Sequence, residues 1–553
     1  MPKPALSGRF TIETLEPRIA PASVVTFNDV DGDHVKISVT KGVLMAGGNI
    51  TLTASGSGER LDEINLSDAS FNGASLTVSV SKVTGGDGQV IVPFINGGTN
   101  DFATVKIAGD LGNIDCGDDI HTAIKTLAIG SLGRFQKFGA SDYISRIQGS
   151  VDSVTIKGDI QASYLRIDGT LGSVTVGGSV FGGSVGDAGE IYATANIGKA
   201  LIMHDLRGGD GTFSGSVGAG RGVGSVTILG AILGAKGSES GSVYGAYLAP
   251  GALGKVSVSG NVVGGDGNFS GAIGISVNSI ALSVGTVTLG KDLIGGVGDG
   301  SGAVGTYNDD LGSVTVKGSL RGGSGSYSGA VGSALNAGSL TIDGSLYGGD
   351  GDHSGYLYAG LVAHSHITSI SVHGSLFGGK GPESGTIGSV GGGGNEIDLG
   401  SVTIGGSVWG GAGVRSGSLD AYYGTAGTYV IKGSIIGGSG LDSGDVAAST
   451  AQSISVGGNI YGGAAGYAGS IYVQNGAQKI SIGGSLYGGF EAQTGLIEID
   501  TGGLASLTIH GDLRGGSGQF SGSVLVLAGG IASKKIGGAQ IPGAGASSGV
   551  VSG

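Results

Sequence analysis

The residues able to do chemistry are few and widely scattered. Asp29-Val30-Asp31-Gly32-Asp33 places three carboxylates on alternate positions around a glycine, the opening of a loop that can wrap a hard cation such as calcium. A full loop of that kind closes on a glutamate, and the corresponding position is Thr40. An acidic turn is therefore the expectation at Asp29, Asp31 and Asp33. Calcium is the only ion the pattern leaves open, and no other cofactor is called for. Asp118-Asp119 with His121, and Asp309-Asp310, come nearest to an acid–base set, but neither has a recurring partner in the repeats described below. His364-Ser365-His366 puts two imidazoles on one side of a strand with no cysteine or clear third ligand nearby. No catalytic residue is assigned.

Stepping outward to the elements that must carry these residues, the chain has 124 glycines in 553 residues but only 8 prolines. Collagen needs a strict three-residue glycine period with abundant proline, and both are missing. Glycine inside a helix costs about 1 kcal/mol per residue, which excludes a helical solenoid. A hydrophobic content of 39% and a charged content of 13% exclude a largely disordered chain. What remains is a glycine-rich β structure. Lys and Arg number 29 against 42 Asp and Glu, a net charge of −13 with no basic stretch, so no nucleic-acid partner is expected. No apolar run is long enough for a transmembrane helix. Near the N-terminus Ala5, Leu6 and Phe10 are interrupted by Ser7, Gly8 and Arg9, unlike the apolar core of a signal peptide. The single cysteine, Cys116, excludes an intrachain disulfide.

One pattern recurs throughout. Leu206-Arg207-Gly208-Gly209-Asp210-Gly211 returns as Val262-Val263-Gly264-Gly265-Asp266-Gly267 and again as Leu346-Tyr347-Gly348-Gly349-Asp350-Gly351. The apolar residue before each glycine pair recurs about every 27 residues, which gives some 16–17 units from residue 101 to 553. Each unit holds three short β signals: an alternating stretch such as Ser225-Val226-Thr227-Ile228, the segment before the glycine pair, and a Ser-Gly-x-Val/Ile segment such as Ser214-Gly215-Ser216-Val217. One unit cannot bury its apolar side alone, but stacked units can. The expected fold is all-β: a parallel β-solenoid, three-sided and right-handed, since parallel crossovers favour that hand. The paired glycines Gly208, Gly209, Gly264, Gly265, Gly348 and Gly349 are assigned to corners that need either φ > 0 or close backbone approach. Residues 24–100 contain strands without the repeat and are expected to cap the open end of the sheet, with some β-sandwich character.

The residue after each anchor should face outward. Tyr347, Phe377, Trp409, Ile436, Tyr461 and Tyr487 occupy this position in successive units as a continuous aromatic and aliphatic stripe, and its aromatic members Tyr347, Phe377, Trp409, Tyr461 and Tyr487 form a candidate ligand-binding site suited to sugar rings. The competing reading is a ladder that stacks upon itself. Serine and threonine form a second column in the first strand, from Thr155 to Thr508, broken at Leu201 and Val430. Those breaks and the varying unit lengths argue against a flat ice-binding lattice.

Residues 1–23 contain Leu15-Glu16-Pro17-Arg18 followed by Ile19-Ala20-Pro21-Ala22. The first four resemble the N-terminal LEPR-type sorting motif of large, repeat-rich bacterial surface proteins, although the leucines that usually continue it are absent. The resemblance implies a leader over residues 1–23, export, and a β-rich body outside the cell. The Gly-Asp-Gly triplets resemble the calcium-binding nonapeptide of toxin-type β-rolls, but the aspartate at its sixth position is replaced by Phe213, Phe269 and His353. The combined expectation is a secreted or cell-surface structural or adhesive protein without catalytic activity, with extracellular glycans or other surface proteins as partners. The alternatives are a polysaccharide-binding or polysaccharide-cleaving β-helix protein, and a subunit that self-associates end to end.

Overall fold

The computed structural model describes residues 23–134, 143–275, 281–306, 308–360, 364–389 and 397–553. The LEPR-type motif at Leu15–Arg18 lies outside them. Alternating side chains and glycine-marked corners fold the chain as the repeat predicts, into a parallel β-solenoid of about 17 turns with rungs of about 27 residues and almost no helix. A representative rung runs through Val223–Ile228, Ile232–Leu233 and Val243–Tyr244. Each strand pairs in parallel with its equivalent one rung along: Ile228 opposite Val258, Ile232 opposite Val262 and Val217 opposite Val243. At about 4.8 Å per rung the rod is roughly 80 Å long.

The core is one continuous column. Anchors such as Leu206, Ile232, Leu346 and Val408 have no exposed surface, and the buried apolar cluster extends without a break from Val25 to Val526. The N-terminal strands belong to this column and have no separate core. Ser23–Asn28, His34–Val39 and Ala74–Ser81 pair antiparallel, and Ala74–Ser81 then joins Phe102–Ile107 in parallel. These antiparallel strands lie at the end of the sheet where the parallel stacking begins.

Two polar devices hold the corners. Between the first and second strands, a Ser, Asn or Asp accepts the backbone N–H of its equivalent in the next rung. Ser345 donates its N–H to Ser319 Oγ (3.2 Å), Ser375 to Ser345 Oγ (3.1 Å) and Ser407 to Ser375 Oγ (3.0 Å). Between the second and third strands, a buried serine clamps the loop. Ser354 Oγ accepts from Gly349 N–H (3.0 Å) and donates to the Gly351 carbonyl (2.7 Å). Serines at the same place in neighbouring rungs, among them Ser270, Ser328 and Ser416, repeat the arrangement. The part-buried Gly349 N–H would otherwise lose this partner, at about 1–3 kcal/mol, whereas the Gly351 carbonyl also accepts the Ser354 backbone N–H (3.3 Å).

The glycines divide the corner between them. Gly208, Gly209, Gly264, Gly265, Gly348 and Gly349 have ordinary φ, and what they need is close approach: a Cβ on Gly349 would lie 2.1 Å from the Gly323 carbonyl oxygen. The left-handed conformation falls on the later glycine of the Ser-Gly pair, with φ +63° at Gly215, +67° at Gly271 and +64° at Gly355.

Candidate functional site

The aromatic column forms in register. Tyr347 sits opposite Phe377, Phe377 opposite Trp409, Trp409 opposite Ile436, Ile436 opposite Tyr461 and Tyr461 opposite Tyr487. All five rings project away from the core, because each follows a buried anchor and successive strand residues alternate sides. Tyr347 and Phe377 stack with centroids 4.9 Å apart and planes 4° apart; Tyr461 and Tyr487 stack at 5.0 Å and 6°. Phe377 and Trp409 stack at 6.2 Å and 19°. These separations match the rung spacing, so the ring faces point along the rod and their edges point to solvent. The outer face of Tyr347 is covered by the Arg321 guanidinium, 4.4 Å from the ring centroid. Most of the stripe therefore stacks upon itself and offers no flat platform.

Ile436 is the exception. It is the one aliphatic residue inside the column, and it leaves one face of Trp409 and one face of Tyr461 without an aromatic neighbour. Those two rings are also the most exposed of the five, at 42% and 39%. Asn459 Nδ2 donates to Tyr461 Oη (2.6 Å) and fixes that ring. The two faces are two rungs apart, about 9.6 Å, with Ile436 as the floor of the slot.

The polar candidates come out differently. Asp29, Asp31 and Asp33 do converge, each offering an oxygen within 4.8 Å of the others. Their hydrogen bonds show a structural use. Both oxygens of Asp33 accept backbone N–H groups, from Val83 and Gly88 at 2.6 Å each, and Asp31 accepts from Asp87 N–H (2.9 Å). Asp31 and Asp33 thus tie the turn to the loop that follows residue 82, while Asp29 accepts the Asp33 N–H (2.8 Å) inside the turn. Burial is the main force raising the Asp29 carboxyl, to about 6. Asp118 and His121 are joined at 3.1 Å and gain Asp101, a residue the sequence did not single out. Asp119 adopts φ +63°. Asp310 accepts the Asn336 backbone N–H (3.0 Å). His364 pairs with Asp398 of the next rung (3.2 Å) rather than forming a metal pair with His366. The Ser/Thr column is in register, with Thr155 exposed and Thr175 half-buried. Cys116 is buried.

Sequence reasoning missed a further column. The residue two before the Ser-Gly glycine adopts the left-handed conformation whatever its type: Phe213, Glu239, His353, Glu383, Arg415, Asp442 and Tyr467 have φ between 51° and 57°. Such residues are uncommon at φ > 0, and here the corner over-determines them. Their side chains gather beside the outward residues of the third strands, where Tyr244 lies over Gly218 and Tyr358 over Gly332. Buried Tyr244 donates its hydroxyl to buried Glu190. Tyr327 stacks on His353 with centroids 4.7 Å apart. The only signal for this column in the sequence is a fixed offset from Ser-Gly.

These features define a glycine-cornered parallel β-solenoid with an interrupted aromatic ladder on one side and a buried acidic–aromatic column on another. Comparison of the chain with family models, curated proteins and solved structures finds no match in any of the three. Among the described residues, no helix is long and apolar enough to cross a membrane.

Proposed function

We propose that this chain is a rigid binding rod displayed outside the cell, and that it takes a single pyranose ring of an extracellular glycan between Trp409 and Tyr461. The observation that carries the reading is the coincidence of the two most exposed rings with the one aliphatic break in the ladder. A gap of about 9.6 Å accommodates one saturated ring with a van der Waals contact of about 3.5–4.0 Å on each side. Sugar C–H groups suit the negative faces of the two aromatic rings. The role is adhesive rather than catalytic, because the slot is lined by rings and an isoleucine. Export agrees with the motif at Leu15–Arg18.

The test is a glycan array followed by titration of the best ligand. Trp409→Ser and Tyr461→Ser should each weaken binding about 10-fold, the loss of one stacking contact of roughly 1.4 kcal/mol. Tyr347→Ser, at a ring covered on both faces, should change it little. Ile436→Trp should complete the stack and abolish binding while the rod stays folded. Unchanged glycan and cell adhesion in Ile436→Trp would refute the slot.

A further inference from the structure

On the third-strand side, one column runs Asp420, Ala447, Tyr472, Glu498 over four successive rungs. Beside it runs the left-handed column Arg415, Asp442, Tyr467. Ala447 is the small member of its column, and a cavity of about 310 Å³ opens over it. Its charged lining is Asp420, Asp442, Asp445, Glu498 and Asp500 against Arg415 alone, five carboxylates to one guanidinium. Arg415 is 4.0 Å from Asp420 and also faces Glu383 at 3.6 Å, so it does not balance the acids.

Two of these carboxylates have an oxygen that is buried and without a hydrogen-bond partner: Oδ1 of Asp445 and Oε2 of Glu498. Glu498 as a whole is only 8% exposed. A donor that carries positive charge would fill such a vacant position and favour the ionised, accepting form that burial disfavours. A single metal ion does not fit the spacing. Among the described residues, no three of these acids bring ligand oxygens within 4.8 Å of one another, as Asp29, Asp31 and Asp33 do. An ammonium group needs only two carboxylate acceptors, since its third N–H can be left to water. The rest of the wall is tyrosine. Tyr422 and Tyr472 stack at 5.5 Å and 10°, and the Tyr472 hydroxyl donates to Asp500. Aromatic rings beside a cation add attraction through their faces and suit a ring-shaped ligand.

We propose that the cleft over Ala447 binds the protonated amine of an amino sugar, with Asp420 and Asp445 accepting from the ammonium, Glu498 accepting from a sugar hydroxyl farther along the column, and the tyrosines bordering the sugar ring. The site is carried by observations independent of the Trp409–Tyr461 slot and stands or falls separately.

Calorimetric titration of the full chain at pH 7.5 tests it, with glucosamine, N-acetylglucosamine, glucose, Nα-acetyl-lysine amide and calcium as probes. Glucosamine should bind and raise the unfolding temperature, while N-acetylglucosamine and glucose, lacking the charge, should bind at least 10-fold more weakly. Asp420→Asn, Glu498→Gln and the cavity-filling Ala447→Trp should each lower glucosamine affinity at least 10-fold. Glu190→Gln, which removes a buried carboxylate elsewhere on the rod, should leave it unchanged. Equal binding of N-acetylglucosamine, tighter binding of the lysine analogue, calcium binding that displaces glucosamine, or no binding of glucosamine would each overturn the assignment. So would release of reducing ends from a glucosamine oligomer, which would make the carboxylates catalytic instead.

Discussion

Gly348→Val is expected to cost at least about 4 kcal/mol and to loosen the rungs on both sides of the substitution. A Cβ at Gly348 would lie 2.6 Å from the Gly379 backbone nitrogen, 2.6 Å from the Ser384 carbonyl carbon and 2.7 Å from the Gly385 nitrogen. All three are backbone atoms of the next rung, so none can rotate aside, and relief requires the rungs to separate where their strands pair. Gly355→Val should be comparably damaging for a different reason. Its φ of +64° is unfavourable for a branched side chain, and its Cβ would lie 2.2 Å from the Tyr347 carbonyl oxygen. Gly466→Ala is the control within the same kind of loop. Its φ is ordinary, its nearest neighbour is a Leu441 methyl at 3.4 Å, and equivalent rungs carry Thr212, Asn268 or Asp352 there. It should stay within about 0.5 kcal/mol of the parent. Chemical denaturation gives the cost, and hydrogen exchange at Leu346 and Leu376 locates it. If Gly348→Val unfolded at the parent's temperature, the corner assignment would be wrong.

These corners show how far the sequence could be read. The anchors were legible because each strand buries an apolar residue at a fixed place in the rung, and Leu206, Ile232 and Val262 differ only in shape. The ladder was legible for the same reason, one residue further on. Its self-stacking was not, because ring orientation depends on the neighbour above and below, and only coordinates show that Phe377 is covered on both sides. In the sequence Ile436 is one more apolar member of a continuous stripe; in three dimensions it separates Trp409 from Tyr461. The left-handed column was invisible by composition. A position held by Phe213, Glu239, His353 and Arg415 carries no residue-type signal, since the backbone selects it through the serine clamp and the following glycine. The cleft combines that column with Asp420 and Glu498, which lie far apart in sequence and share a face only through register. Asp29, Asp31 and Asp33 were picked out from their spacing; the structure shows Asp31 and Asp33 bonding the loop after residue 82 and Asp29 bonding within the turn.

The buried acids predict an unusual pH dependence: the unfolding temperature should fall as pH rises from about 4 to about 7.5. Burial pushes the Asp420 carboxyl up to about 6, opposed by the Tyr422 backbone N–H and Arg415 and reinforced by Glu383 and Asp442. Burial also raises Asp445 and Glu190 well above the ordinary carboxylate range. A carboxyl with a raised folded value holds its proton in the folded rod, so its contribution is complete below the unfolded value near 4 and is lost as pH climbs through the folded value. For Asp420 that window runs from about 4 to about 6, and the contribution is on the order of 2–3 kcal/mol. Carboxylates shifted the other way act elsewhere on the scale. The Arg514 side chain holds Asp512 low, and the Ile120 backbone N–H does the same for Asp118. Their contribution is present above about 4 and disappears only as pH falls below that, so the two sets do not cancel between 4 and 7.5. Asp420→Asn should therefore raise the unfolding temperature at pH 7.5, leave it nearly unchanged at pH 4, and flatten the slope between. A parent stability that rises toward pH 7.5, with Asp420→Asn neutral throughout, would mean that these side chains are hydrated. Glucosamine in the cleft should flatten the slope in the parent as well, because an ammonium beside Asp420 and Asp445 stabilises the ionised forms that the empty cleft disfavours. In Asp420→Asn the same addition should have much less effect, so one pair of pH titrations ties the strain in the empty rod to the ligand that relieves it.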